Sequence, residues 1–460
     1  MTALLAPSAA VAPAHRDPNV LRWLGAYTSS MVGDSVYYIA LSWAAVQTGT
    51  PAQAGVVMSV SALPRALLML GGGVIADRLG PRRVVIGSDA VRCAAVLAVA
   101  ALLFLTSPGL WPLALLALVF GTVDAVFMPA VGALPVRITG KDQLARVQGL
   151  RGLAIRFASV VGAPLGGLGV AIGGAPVAFA LAGLLIAVSV PLLISVRIRE
   201  LPGDERVGVL RVDERAEGLP GDQHVDDLAR DERVGVPPEG ERLRELPAGS
   251  APTAARATTA WADLVAGLRY IRRHRVLAPL MLAIALGDFG FVGPLNIGLT
   301  LLADRRGWGA SGMGWVLAGF GVGAGAASLL LTVRGRLPRA GLVAGCGILA
   351  GSVAIGALAY VPSLVAAVGT ALLVGLLAGL SGAMCGALLQ TQGDPAYLGR
   401  VTAVASLVSL GLAPLSMPFA AAAVGAWGPG PVFVVSAVVC GLGGVVALCV
   451  PGLRHAELPR

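Results

Sequence analysis

Residues 73–83 read GVIADRLGPRR and lie where one long apolar run, residues 53–76, ends and the next, residues 84–106, begins. Each run is long enough to cross a bilayer, because a hydrocarbon core about 30 Å thick takes about 20 helical residues. The stretch itself holds one acid and three arginines, and ionised groups are expensive in the bilayer core. It therefore predicts a tight loop at a membrane surface that joins two transmembrane helices.

The composition extends this prediction to the whole chain. Of 460 residues, 56% are hydrophobic and 13% are charged, with a mean hydropathy of +0.81, whereas about a quarter of the residues in soluble domains are charged. The 63 glycines fall inside apolar stretches and not in Gly-X-Y triplets. This pattern excludes a collagen-like chain and is typical of closely packed membrane helices.

Twelve apolar runs are long enough to span a membrane, six on each side of a charged centre. They cover residues 21–46, 53–76, 84–106, 110–134, 149–172, 176–196, 277–302, 312–333, 340–361, 363–388, 401–424 and 429–451. We predict an all-α membrane protein with two pseudo-symmetric six-helix bundles, residues 21–196 and 277–451, and tails at 1–20 and 452–460. Residues 144–147 (LARV) match residues 398–401 (LGRV), and such a repeat places a binding site between the halves.

The charged centre divides into two segments. Residues 197–257 carry nine-residue repeats with many charges of both signs, and so little apolar surface predicts a disordered linker, with a docking or regulatory segment as the alternative. In residues 258–276, Trp261, Leu264, Leu268 and Ile271 recur at helical spacing before a cluster of arginines. This second segment predicts an amphipathic helix with its apolar face in the headgroup layer and its arginines near anionic lipid.

Basic side chains are unevenly divided between the two sides of the predicted bundle. Of the 34, 29 fall on the side of both termini, three lie within helices, and only Arg305 and Arg306 fall on the opposite side. Since positively charged loops stay in the cytoplasm, we expect a multi-pass protein of the inner (cytoplasmic) membrane with both termini in the cytoplasm. The net charge of +9 then reflects topology, and no nucleic-acid partner is expected.

The loop at residues 73–83 resembles the G-x-x-x-D-R-x-G-x-R-R signature of the major facilitator superfamily and lies where that family places it, between helices 2 and 3. The resemblance implies a latch that holds the outward-facing state, with small residues allowing close helix contact and Asp77 meeting the positive N-terminal end of a helix in the other half. The predicted latch residues are Gly73, Asp77, Arg78, Gly80, Arg82 and Arg83.

Other segments look like the twelve-helix drug exporters that include macrolide-efflux and enterobactin-export proteins. These segments are residues 33–34, 88–92, 127–130 and 261–271. Gly162, Pro164, Gly166 and Gly167 are similar to the antiporter motif of that branch, G-P-x-x-G-G, with the proline one position late. The resemblance implies a monomer that exports hydrophobic small molecules by proton antiport. The alternatives are an exporter of a siderophore or of one metabolite, and a receptor or scaffold that does not transport.

Three acids lie near the middle of predicted helices 1, 4 and 7, namely Asp34, Asp124 and Asp288. A charge at this depth costs at least about 2.5 to 3.5 kcal/mol on insertion scales, and the resemblance implies that these helices line the central cavity. We therefore predict that Asp34 and Asp124 couple protons, with Asp288 contributing from the other half. The alternative is a static ion pair of each acid with Arg65 or Arg156.

Asp89 and Arg92 stand three residues apart on helix 3, a spacing that predicts a structural pair or a support for the loop at Asp77. Candidate cavity side chains are aromatic or polar residues on helices 1, 4, 7 and 10, each of which could instead pack or face lipid. They are Tyr37, Tyr38, Trp43, Phe127, Phe289, Phe291, Asn296 and Gln390. Phosphate-binding and catalytic motifs are absent, and the five cysteines lack C-x-x-C spacing, so we predict no enzyme, cofactor or metal site.

Overall fold

The computed structural model describes residues 16–106, 108–140, 143–197, 260–334, 339–394 and 397–457. Over these ranges the regular secondary structure is entirely helical. The nine-residue repeats lie outside the described residues. The described residues up to Arg197 and those from Leu264 onward form one compact unit, and the architecture below is that of this unit.

The first half of the unit contains six long helices. Four of them are α1 (Pro18–Thr48), α2 (Pro51–Leu79), α3 (Pro81–Leu105) and α4 (Trp111–Ile138). The stretch Leu144–Ser195 is interrupted at Gly173 and Gly174, where the backbone leaves helical geometry. The interruption divides it into α5, residues 144–172, and α6, residues 175–195.

The second half repeats this arrangement after a short helix, α7 (Ala260–Arg273). Helix α8 (Leu277–Arg305) contains a π-helical turn at Pro294–Gly298. It is followed by α9 (Gly309–Arg334), α10 (Ala340–Leu358), α11 (Leu364–Thr391), α12 (Leu398–Trp427) and α13 (Pro429–Cys449), and by a single turn, α14 (Pro451–Arg454).

Local signals explain where these helices begin and turn. The Asp17 side chain accepts the backbone N–H of Asn19 at 2.8 Å and caps α1, while Thr50 and Gln53 form a reciprocal capping box at the start of α2. Gly174 has φ +73°, a left-handed conformation that favours glycine, so the chain reverses there without a loop. Tight connections of this kind make consecutive helices antiparallel neighbours.

Nine described stretches are long and apolar enough to span a membrane, and one of them, Arg146–Ser195, holds most of α5 and all of α6. Helices α1 and α2 have 31 and 29 residues, which is long enough to cross a bilayer, and they bring the number of helices of spanning length in the described ranges to twelve. Because neighbours are antiparallel, the unit has two ends. We call the end that holds Pro18 and Arg454 the near side, and the end that holds the turns at Gly49 and Gly307 the far side.

The two halves, α1–α6 and α8–α13, touch on the far side. Helix α2 packs against α12 and α5 against α9. A Cβ on Gly55 would lie 2.6 Å from the Cβ of Ala421, and one on Gly167 would lie 2.4 Å from the carbonyl oxygen of Ala310. These glycines therefore let the backbones of the two halves approach more closely than a side chain would permit.

The buried apolar clusters show the same division. Two clusters are shared between the halves: one joins Tyr37 and Phe120 to Met417 and Val424, and the other joins Ile39 and Ala163 to Leu299 and Phe433. Two further clusters each belong to one half and lie toward the near side: Trp23, Val84 and Leu193 in the first half, and Ile271, Leu277 and Leu453 in the second. The unit is thus closed on the far side, and its halves are separate on the near side.

Helix α7 docks on the second half through one face. The ring of Tyr270 stacks on Tyr397 with centroids 4.5 Å apart, and its hydroxyl accepts the backbone N–H of Asp394 at 3.0 Å. Ile271, expected in the headgroup layer, is instead buried against the protein, whereas Leu268 is half exposed. That expectation was wrong for Ile271, because helical spacing alone does not say whether an apolar face meets lipid or protein. The side chains of Trp261 and Leu264 lie outside the described residues.

Candidate functional site

A fully buried arginine on α3 lies among three carboxylates. Arg92 Nη1 is 2.8 Å from Asp34 of α1 and 3.1 Å from Asp124 of α4, and Nη2 binds Asp89 one turn earlier on its own helix. On the side of Asp124 away from Arg92, Arg65 of α2 lies 4.0 Å from its second oxygen. Helices α1 to α4 thus each contribute charge to one group, which we call the Arg92 cluster: Asp34, Arg65, Asp89, Arg92 and Asp124.

Neutral side chains complete the surroundings of the arginine. Ser30 accepts from Arg92 at 3.0 Å and donates to Asp89 at 3.0 Å, and Ser189 of α6 donates to the second oxygen of Asp89. The Phe127 ring lies under the guanidinium, with its centroid 4.0 Å from Cζ, a favourable cation–π geometry. Asp89 is therefore held by its own helix and by two serines, which suits a positioning role for this acid.

The Arg92 cluster has one more carboxylate than guanidinium. When every group is ionised, three negative and two positive charges leave a surplus of one negative charge. The three acids differ in exposure: the side chain of Asp34 is 13% exposed, that of Asp124 5% and that of Asp89 1%. Asp34 is therefore the acid of the three with the best access to water and to an exchanging proton.

This grouping bears on the predicted charge pairs. Asp89 and Arg92 were predicted to form a structural pair or to support the loop at Asp77; they do form an ion pair, and Arg92 also binds Asp34 and Asp124. Arg156, offered as a partner for these acids, has no carboxylate of the described residues within 4.0 Å, and Arg65 contacts Asp124 only at the limit of that distance. The sequence could not reveal the grouping because it depends on the rotation of four helices about their axes.

A cavity of about 780 Å³ lies in the second half of the unit. Its walls are mostly small or apolar residues of α8, α9, α10, α11 and α12, with the rings of Phe291 and Phe320 among them. Its acid is Asp288 of α8, whose Oδ2 accepts the Ser409 hydroxyl of α12 at 2.5 Å. A largely apolar cavity with few polar groups is the usual form of a small-molecule site.

The first half of the unit contributes Arg156 of α5 to the lining of the same cavity. Arg156 follows Leu144, the first residue of α5, by 12 residues, and Asp288 follows Leu277, the first residue of α8, by 11. At about 1.5 Å per helical residue, both lie at nearly the same depth from the near side. The cavity therefore has a basic group from one half and an acidic group from the other at one level.

Of the eight side chains predicted to line a cavity, Phe291 lines this one. Tyr37 packs in the interior of the first half against Phe120, with ring centroids 3.7 Å apart, and Phe127 supports Arg92. Asn296 donates to the carbonyl of Val292 in its own helix at 2.9 Å. The remaining four lie outside the described cavity lining: Tyr38 and Trp43 are partly buried, and Phe289 and Gln390 are exposed. The sequence analysis missed Phe320 and Ser409, since an isolated phenylalanine or serine in an apolar helix carries no signal.

The signature loop is described only in part. Gly80 has φ +85° and lies immediately before Pro81, the first residue of α3, and this left-handed backbone favours glycine there. Arg82 donates to the backbone carbonyls of Leu193 and Ile194 at the C-terminal end of α6, and Arg78 and Arg83 are exposed. The side chain of Asp77 and the surroundings of Gly73 lie outside the described residues, so the latch contact stays a prediction.

The glycines of the antiporter-like motif lie at close helix contacts. A Cβ on Gly162 would be 2.5 Å from the Cβ of Ser35 on α1, and one on Gly166 would be 2.9 Å from that of Ile39. Gly167 faces α9 of the other half. The helix passes through Pro164 with helical backbone angles, and its break comes later, at Gly173 and Gly174.

Comparison with known proteins identifies the family. The sequence profile of the Major Facilitator Superfamily matches residues 23–412, and the chain belongs to this family. It is therefore a multi-pass membrane protein and a secondary transporter, not an enzyme. No curated protein matches the sequence.

Solved structures share the fold at low sequence identity. The nucleoside transporter NupG superposes with a TM-score of 0.66 at 11% identity, covering 94% of this chain and 100% of its own. A D-xylose–proton symporter gives 0.65 at 13%, covering 95% and 99%. A bacterial homologue of the human lysosomal transporter Spinster, inward-facing and occupied, gives 0.64 at 13%, covering 94% and 96%. The predicted all-α fold of twelve helices in two bundles is confirmed.

Proposed function

We propose that this transporter exports hydrophobic small molecules from the cytoplasm in exchange for protons, as a monomer in the inner membrane. The near side, which holds most of the arginines, faces the cytoplasm in this proposal. The described state, closed on the far side and separate on the near side, then corresponds to a transporter open to the cytoplasm. Substrate enters the cavity from that side.

The observation that carries the proton step is the surplus carboxylate of the Arg92 cluster. One proton neutralises the group, and Asp34, as its most exposed acid, is the position that receives it. When Asp34 is ionised, Arg92 binds it directly and ties α1 to α3; when Asp34 is neutral, that ion pair is lost. Protonation therefore changes the strength of one specific contact between two helices.

The packing around Asp34 supports a link from this step to movement of the halves. Its neighbour on α1, Ser35, meets Gly162 of α5 at close range, and Gly167, further along α5, meets Ala310 of α9 in the other half. Arg156 of the cavity lies on the same helix. A shift of α1 relative to α3 is thus passed to the helix that both closes the far side and reaches the cavity.

The membrane potential supplies enough energy for this exchange. One charge crossing the potential yields about 2.3 kcal/mol per 100 mV, and about 1.4 kcal/mol corresponds to a tenfold concentration ratio. Each inward proton therefore supports an outward gradient of tens of fold. The apolar cavity walls provide the complementary site for a hydrophobic cargo.

The test uses cells that lack their own efflux pumps and a panel of hydrophobic dyes and antibiotics. We expect the parent to lower accumulation of at least one compound, a protonophore to abolish the effect, and Asp34→Asn or Asp124→Asn to reduce proton-driven export at least tenfold. Asp17→Asn, which removes a carboxylate at the start of α1, should export like the parent. Parental rates in both cluster variants would contradict the proton roles, and unchanged accumulation of every compound would contradict export.

A further inference from the structure

Two ionisable side chains that face the cavity lack partners of opposite charge. Arg156 has no carboxylate within 4.0 Å among the described residues, and Asp288 has no basic group within that distance. Asp288 Oδ2 accepts from Ser409, and no other described residue donates to the carboxylate. In the Arg92 cluster, by contrast, every charged group has a group of opposite charge within 4.0 Å.

Arg156 and Asp288 are placed so that one ligand in the cavity can contact both of them. They come from opposite halves of the unit, at nearly equal depth, and line one cavity whose volume is within the usual range of about 300 to 1,000 Å³ for small-molecule sites. A charge inside a membrane protein is normally paired or solvated. When the near side closes and water leaves the cavity, both groups need a partner, and a bound ligand is in position to provide both.

We propose that the cargo of this site is an amphipathic zwitterion, with a cationic group bound at Asp288, an anionic group bound at Arg156 and an apolar body against Phe291 and Phe320. The inference rests on the proposed export function and narrows its substrate class. The ligand contacts both halves at once, so its two charges help to draw the halves together on the near side. A ligand of this kind brings no net charge, and the site stays neutral when filled.

Molecules with a single charge fit less well because they leave one of the two charged groups of the cavity without a partner. A lipophilic cation satisfies Asp288 but leaves Arg156 unpaired in a desolvated space, and an anion does the reverse. Leaving one buried charge without its partner is strongly unfavourable. The site therefore selects against both types of ion, in addition to binding the zwitterion.

The experiment measures binding of a matched series to the purified full chain in lipid nanodiscs. The probes are norfloxacin, which carries an amine and a carboxylate, its methyl ester, which is a cation, and its N-acetyl derivative, which is an anion. We expect the parent to bind norfloxacin at least tenfold more tightly than either derivative. Asp288→Asn should shift the preference to the anion, and Arg156→Gln should shift it to the cation.

Two controls separate charge selection from loss of structure. Asp17→Asn and Arg22→Gln remove one charge of each sign outside the cavity and should keep the parental order of affinities. The inference is overturned if the parent protein binds the three forms with equal affinity, prefers a singly charged form, or binds none of them. An equal loss for all three forms in both cavity variants also overturns it, because that result indicates a structural role.

The outcome is independent of the test of export. If Asp288→Asn and Arg156→Gln shift the probe preference in opposite directions but the protein shows no proton-driven transport, the zwitterion site is supported and the proposed export is refuted. Export would be supported and this inference refuted if Asp34→Asn loses proton-driven transport while substitutions at Asp288 and Arg156 do not change the preference among the three probes.

Discussion

Arg92 on α3 donates to both carboxylate oxygens of Asp34 on α1, at 3.0 and 2.8 Å, although 58 residues separate them in the chain. The contact lies deep in the first half and involves the most exposed of the three acids of the Arg92 cluster. It joins α3, which follows the signature loop, to α1, and α1 in turn packs at Ser35 against Gly162 of α5, the helix that contacts α9 of the second half. Charge at Asp34 is therefore well placed to affect both folding and movement.

Removing the arginine should destabilise the protein. Arg92→Gln leaves three buried carboxylates with only Arg65 nearby, and breaking a buried ion pair from one side costs about 3–5 kcal/mol. We expect a large fall in the midpoint of thermal unfolding in detergent and in the yield of monodisperse protein.

The exposed Arg83→Gln variant is the matched control and should unfold like the parent. An Arg92→Gln protein with the parental midpoint would show that the carboxylates are not ionised together in the folded state.

Enlarging Gly167 should disfavour the state described here. A side chain at this position would meet the carbonyl oxygen of Ala310 at 2.4 Å, so Gly167→Leu should push α5 away from α9 on the far side. We expect the population to move toward far-side opening, measured by distances between spin labels at the far-side ends of the two halves.

Gly132→Leu provides the comparison, because no described atom lies within 4 Å of a Cβ built there. Label distances in Gly167→Leu that match those of the parent and of Gly132→Leu would contradict the role of this contact in closure.

A hydrogen bond across the halves should contribute modestly to far-side closure. Gln47 Nε2 donates to Asp304 Oδ1 at 2.7 Å, and both residues are exposed. Since a typical net hydrogen bond contributes about 0.5–1.5 kcal/mol, Asp304→Ala should raise the far-side-open fraction by roughly twofold to tenfold. The same spin-label distances report that fraction.

A double-mutant cycle with Gln47→Ala isolates the pair. If the effects of the two single substitutions on the free energy of far-side opening simply add in the double variant, this hydrogen bond does not stabilise closure.

Docking of α7 should depend on a small residue. A Cβ on Gly267 would lie 2.9 Å from the carbonyl oxygen of Arg400 at the start of α12, so Gly267→Leu should displace α7 and weaken the stacking of Tyr270 on Tyr397. We expect faster trypsin cleavage after Arg269, Arg272 or Arg273. Val265→Leu changes a partly exposed position on the same helix and should be cleaved at the parental rate; equal rates in both variants would argue against this docking contact.

Much of the fold could be predicted from the sequence because the bilayer sets the length of apolar runs. The boundary predicted between residues 172 and 176 coincides with the helix break at Gly173 and Gly174, where glycine allows a turn within an apolar stretch. The depth of Asp34, Asp124 and Asp288 also follows from counting residues along a helix.

The partners of these acids could not be predicted in the same way. A helix rotated by 100° presents a different residue, and no periodic pattern is clear in helices that are apolar on every face. Tyr37 and Phe127 were expected to line a cavity and instead pack in the interior of the first half. The assembly of four helices around Arg92, and the entry of Arg156 into a cavity of the opposite half, are properties of tertiary packing alone.

At Gly55 and Gly167 on the far side, the backbone of one half lies directly against alanines of the other half, Ala421 and Ala310. At these two positions no large side chain has to change rotamer for the helices to separate. These two contacts therefore add little to the activation barrier for separation. Residues such as Gly55 and Gly167 consequently govern how fast the protein exchanges between its two states, and substitutions there should alter turnover before they alter affinity.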